Sequence, residues 1–144
     1  MFTFRLQPAL NYKKQIEEHL MSEFGEMKRC FECEKETLKR LRKRKSDLIS
    51  RLKKMGESNV LAAHASIYLS YATFIKGEEN CQEEIICKGR KALEEKRIEL
   101  VDASKKRRIM EILKEKKLEE YTLSLNSRER KELDEAAIVR SVMK

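Results

Sequence analysis

The four cysteines are the side chains of this sequence best suited to chemistry. Cys30 and Cys33 form a Cys-x-x-Cys pair, and Cys81 and Cys87 are separated by five residues. Two such pairs facing each other could hold a tetrahedral zinc ion, but a single helical span converges poorly on one tetrahedral centre. In a reducing compartment no disulfide framework is expected either. The cysteines therefore read as small apolar fillers or exposed thiols, and no metal site is assigned. His19 and His64 lie far apart, and neither belongs to a metalloprotease motif or an evident nucleophile pair. No Gly-rich loop ending in Lys-Ser or Lys-Thr is present to cradle phosphates. Neither catalysis nor a cofactor is expected.

Charge offers a second chemistry. Residues 39–54 carry nine basic side chains (Lys39, Arg40, Arg42, Lys43, Arg44, Lys45, Arg51, Lys53 and Lys54) against one acid, Asp47, while the whole chain has a net charge of +8. Clustered Lys and Arg can neutralise phosphates, and residues 105–117 are basic as well. In a leucine-zipper factor, however, the basic helix forks away from the zipper. Here the basic run overlaps the apolar positions Leu38, Leu41, Leu48 and Leu52. Nucleic acid is not expected as the partner; a coiled-coil scaffold or nucleic-acid-associated protein using the basic face is the alternative reading.

The elements that carry these groups follow from composition and spacing. The chain of 144 residues is 40% charged and 6% aromatic, with no Trp, four Gly and one Pro, which leaves little to fill a globular interior and little to break a helix. From Leu10 the sequence steps by three and four through Lys13, Glu17, Leu20, Phe24, Met27, Phe31, Glu34, Leu38, Leu41, Lys45, Leu48, Leu52 and Met55. Ten of these fourteen positions are apolar. A period near 3.5 predicts a left-handed coiled coil. Pro8 suits a first helical turn, and Gly56-Glu57-Ser58-Asn59 suits a reversal.

The expected fold is all-α: a long antiparallel two-helix coiled-coil hairpin forming a single domain over 1–144. Helix one spans about 8–55, the turn 56–59, and helix two about 60–123 with a less regular seam. Gly77 and Gly89 mark sites of bending, and a C-terminal segment at 124–144 holds a short last helix capped by Asn126. With the reversal near residue 58, facing residues have numbers summing to about 116. That sets Glu34 opposite Gln82 and Lys45 opposite Tyr71, and leaves the last thirty or so residues without a partner. The first eight residues lack the apolar core of a secretory signal, and the uncharged run Val60–Ile75 falls short of the ~20 residues needed to cross a bilayer. The expected location is the cytoplasm.

In this register the basic run lies opposite residues 62–77, which contain no acid, so its charge is expected to remain unneutralised. Val60, Leu61, Ile67, Tyr68, Leu69, Tyr71, Phe74 and Ile75 spread around more of a helix than one partner can cover. An exposed aromatic patch ringed by basic side chains is a protein-binding surface.

The residues along this hairpin resemble those of the FliJ family, the soluble stalk component of the bacterial flagellar type III export apparatus. Phe4-Arg5-Leu6-Gln7 with Leu10 resembles the family's opening motif, and Tyr71-x-x-Phe74-Ile75 the start of its second helix. Leu113-Lys114-Glu115 with Tyr121, then Leu133-Asp134-Glu135-x-Ala137-x-x-Arg140, resembles its C-terminal signature. The resemblance implies an antiparallel coiled coil whose terminal end inserts into the hexameric export ATPase and whose hairpin contacts the cytoplasmic domain of the membrane export gate. It further implies a role in flagellum biogenesis, protein export and motility, association with the cytoplasmic face of the cell membrane at the flagellar basal body, and export chaperones as further candidate partners. It places Phe74, Tyr71 and Leu41 at the gate-binding surface, and Arg5, Gln7, Leu133, Asp134 and Glu135 at the ATPase-facing end. Glu78 and Cys81 or Gln82 interrupt the apolar strip beyond Phe74. The equivalent stalk of a virulence type III secretion system is a further alternative.

Overall fold

With one proline and few glycines, almost nothing in the sequence opposes continuous backbone hydrogen bonding. A computed structural model of the chain, which describes residues 1–57 and 62–143, accordingly contains two helices: α1 (Gln7–Glu57, 51 residues) and α2 (Ala62–Val142, 81 residues). They pack against each other as a helical hairpin, and no strand occurs among the described residues.

The ends of the helices differ from expectation. Helix α1 starts where Pro8 allows it, with Gln7 N–H donating to the Phe4 carbonyl at 3.0 Å and Leu10 N–H to the Leu6 carbonyl at 3.0 Å. Gly56 was expected to begin the turn, yet it is helical and has no left-handed backbone. One glycine costs a helix only about 1 kcal/mol, too little to end it where the seam positions Leu52 and Met55 are still half-buried. The expected turn residues Ser58 and Asn59, with Val60 and Leu61, lie outside the described residues. Asn126 does not start a new helix, because α2 runs through it to Val142. A single Asn is a weak breaker, and the good helix formers Arg128–Leu133 follow it. Gly77 and Gly89 sit within α2 and, as expected, do not end it.

Two units of contact make up the chain. In the first, Met1–His19 with Leu100–Lys144, Leu10 is buried at 1% exposure and Ala103 is also buried. Arg107 is paired with both Glu17 and Glu111, and Lys14 lies 3.7 Å from Glu111. The rings of Phe2 and Tyr121 meet at 5.6 Å. From Asn126 to Met143 every residue is exposed.

In the second unit, Leu20–Glu99, Leu38, Leu41, Leu48, Ile75 and Ile86 are buried, each contributing roughly 1.5–3 kcal/mol by leaving water. Phe31 packs on Gly89, where an added Cβ would come 3.3 Å from the Phe31 ring. Their numbers sum to 120 against the expected 116, and most cross-helix contacts follow that shift of about four, although the expected pair Glu34 and Gln82 does meet. Counted from that contact, the two seams run in opposite directions, as do the pairs Glu23–Lys96 and Arg42–Glu79.

All fourteen seam positions expected in α1 are buried or half-buried. The seam of α2 is just as regular, which sequence reading missed. In the second unit it takes Ala65, Tyr68, Ala72, Ile75, Glu79, Gln82, Ile86, Gly89, Leu93 and Lys96, again at steps of three and four, and none of these is exposed. In the first unit Leu100, Ala103, Arg107, Met110 and Lys114 follow the same steps. Gly89 of α2 receives Phe31 of α1, and polar residues occupy several seam positions. Gln82 is buried, yet its amide donates to the Glu34 backbone carbonyl at 3.1 Å and to the Glu34 carboxylate. That satisfied pair fixes register, as an interior polar residue does in coiled coils. Among the described residues no helix is long and apolar enough to cross a membrane.

Candidate functional site

The α2 seam has a direct consequence for the rest of its apolar residues. Because Ala65, Ala72, Glu79, Gln82 and Gly89 fill the closed side, Ile67, Tyr71, Phe74 and Ile85 are left facing water. They recur at helical spacing: Ile67, Tyr71, Phe74, Glu78, Cys81 and Ile85 step by four and three along one flank, so the strip broken at Glu78 and Cys81 resumes at Ile85. Phe74 keeps 60% of its surface exposed and Tyr71 47%, and their rings lie 6.5 Å apart and 19° from parallel. The helix that bears this aromatic pair has already closed its seam without it. The exposed pair suits contact with a partner.

Beside it, α1 supplies Thr37, Leu41 and Arg44 to a shallow groove that also takes Phe74, Gly77 and Cys81. Leu41 is thus adjacent to Phe74 but is not an exposed contact residue. As a seam leucine at 8% exposure it floors the groove instead. Of the three residues expected at the gate-binding surface, the structure exposes Tyr71 and Phe74 and buries Leu41.

The electrostatics differ from expectation through the same change of register, which brings acids of α2 to the basic run. Arg42 donates to Glu79 at 3.2 Å and to Glu83 at 3.0 Å. Lys45, expected opposite Tyr71, instead donates to Glu79 at 3.0 Å. Lys45 first and Arg42 second hold the Glu79 carboxyl below the usual glutamate value, against the desolvation that would raise it. The remaining cations of the run are largely unmatched: among the described residues Lys39, Arg40, Lys43, Arg44, Arg51 and Lys53 have no ion-pair partner.

The residues expected at the ATPase-facing end all belong to the first unit. Arg5 is exposed in the turn before α1 and lines a cleft with Leu113, Tyr121 and Ser124. Gln7 donates to the Asn11 side chain at 2.9 Å. Leu133, at 70% exposure, and the exposed Asp134 and Glu135 lie farther along α2, with no hydrogen bond or ion pair to Arg5 or Gln7 among the described residues. The first unit also packs Phe2 and Phe4 of the N-terminal segment near Tyr121, a contact no spacing rule announced. The four cysteines are exposed, and among the described residues no group of three or more His, Cys, Asp or Glu side chains could hold a metal.

No curated protein and no solved structure matches the chain. A family model does, the one described as Flagellar FliJ protein, over residues 1–143. Matched by that family over nearly its whole length, this helical hairpin belongs to the FliJ family, and is thereby an export-related flagellar protein.

Proposed function

We propose that this chain is the coiled-coil stalk that links the hexameric flagellar export ATPase to the cytoplasmic domain of the membrane export gate. The observation that carries the proposal is the Tyr71–Phe74 face, exposed although the helix that bears it already has a complete seam. The uncovered stretch 126–143 of α2 supports the other half, since apolar side chains such as Leu133, Ile138 and Val142 are left for another molecule to bury. A protein with both surfaces could couple ATP hydrolysis by one partner to opening of the other and to proton-driven export. It would work at the cytoplasmic face of the membrane at the flagellar basal body, held there by its partners, and could hand over export chaperones on the way.

The test separates the two surfaces. Phe74→Ala should weaken binding to the purified cytoplasmic domain of the gate by ~1–3 kcal/mol with helicity unchanged. Deletion of residues 124–144 should instead abolish stimulation of the ATPase and leave gate binding intact. Full gate affinity in Phe74→Ala, or full ATPase stimulation by the truncated chain, would refute the corresponding half.

A further inference from the structure

The docking reading leaves open what chemistry the partner segment brings, and the groove itself bears on that. Arg44 lines it together with Phe74 and Leu41. Arg40 and Arg51 stand four residues before and seven after Arg44, so all three share one flank of α1. None of the three has an ion-pair partner among the described residues. The contrast with their neighbours is informative. Arg42 and Lys45, in the same basic run, are held by Glu79 and Glu83, so this fold neutralises cations where it needs them for its own closure. Asp47, three residues after Arg44, and Glu78, which lines the same groove, form no ion pair with these arginines. An apolar strip with guanidinium groups along one edge is complementary to a peptide that carries both apolar anchors and carboxylates. Guanidinium in particular offers the two-pronged donor geometry that a carboxylate accepts.

We propose that the segment bound at the groove beside Phe74 is an acidic peptide of the gate's cytoplasmic domain, whose apolar side chains cover Phe74 and whose carboxylates pair with Arg44, Arg40 and Arg51. The proposal rests on the docking reading above and adds the charge of the partner to it.

The experiment titrates the purified cytoplasmic domain of the gate into full-length wild type, Arg40→Glu/Arg44→Glu, Arg44→Lys and Phe74→Ala at low and moderate salt. Because the arginines serve no intrachain pair, the arginine variants should keep the wild-type circular dichroism and melting curve. Wild-type affinity should fall about tenfold on adding moderate salt, since paired charges at a rim are screened. The charge reversal should weaken binding at low salt by at least about tenfold and remove most of that salt dependence. Arg44→Lys should fall between the two. Alkylation of Cys81, which lies in the groove, should slow in the complex while Cys87 continues to react.

If charge reversal leaves affinity within twofold of wild type while Phe74→Ala abolishes binding, the groove docks its partner but the partner is not acidic, and the present inference is overturned alone. If neither variant has an effect, the docking reading falls as well. Tight, arginine-dependent binding of a single-stranded RNA or of phosphatidylserine vesicles, with none of the gate domain, would also overturn it.

Discussion

Ile75 and Phe74 are neighbours in sequence with opposite roles, and replacing each by alanine gives a sharp check on where the seam lies. Ile75 is 1% exposed and Phe74 60%. Ile75→Ala deletes three buried carbons, about 2.4 kcal/mol at ~0.8 kcal/mol each. A cavity term adds to this, although a two-helix interface bordered by water can partly collapse, so the total should lie near 2.5–3 kcal/mol, in the lower half of the usual range. Phe74 hides less than half of its surface, worth about 1 kcal/mol at most. Alanine recovers roughly 0.5 kcal/mol of that through its higher helix propensity. The net cost of Phe74→Ala should be about 0.5 kcal/mol or less, leaving a gap of about 2 kcal/mol, close to a 30-fold difference in the folding equilibrium. Urea unfolding followed by circular dichroism measures both under identical conditions. Equal destabilisation by the two substitutions, or the reverse order, would mean that the seam of α2 is displaced by one residue and that the aromatic face is core.

Other consequences can be measured on the same purified protein. Glu34→Ala should cost ~1–3 kcal/mol, because it strips the buried Gln82 amide of its carboxylate partner, whereas Gln82→Leu should be near neutral in stability; urea midpoints distinguish them. Gly25→Ala, where an added Cβ meets nothing within 4 Å, should stabilise by about 0.5–1 kcal/mol, while Gly89→Ala should gain less or lose, since Phe31 must give way. Acid should weaken the hairpin. Because Lys45 and Arg42 depress the Glu79 carboxyl in the folded chain, its contribution is complete above the ordinary glutamate value of 4.5 and drains away as pH falls below it, so Glu79→Gln should flatten the loss of stability between about pH 5 and 3 in a melting series.

The α1 half of the hairpin could be read before any coordinates because its seam is written in leucine, phenylalanine and methionine. Polar exceptions such as Glu34 and Lys45 still fell on the seven-residue repeat. The α2 half was concealed by chemistry rather than irregularity. Its closed side is built from Ala65, Ala72, Gly89, Glu79 and Gln82, while larger apolar residues such as Phe74, Ile67 and Ile85 sit outside it, so a search for hydrophobic spacing follows the wrong flank. Steps of three and four traced through every small residue would have found it. The aromatic face was legible for a related reason: Tyr68, Tyr71, Phe74 and Ile75 exceed what one partner helix can cover, and the structure divides them between seam and surface. Register was legible only to within one helical turn, enough to bring Glu34 to Gln82 but not to place the ion pairs. An offset of four residues alters no helix and little of the apolar pattern, yet it moves Glu79 and Glu83 against Arg42 and Lys45 and converts part of an expected free charge into ion pairs. The continuation of α2 past Asn126 eluded the reading because capping preferences are worth only about 1 kcal/mol against a run of good helix formers.

The claim on which the functional account turns is that two separate surfaces serve two separate partners. Hydrogen–deuterium exchange of the full-length chain, recorded alone, with the export ATPase and with the cytoplasmic domain of the gate, addresses it in one measurement. The account predicts that the ATPase slows exchange within residues 126–143 and leaves 67–85 unchanged, and that the gate domain slows 67–85 and leaves 126–143 unchanged. A single shared footprint for both partners, or no protection of either segment, would contradict it.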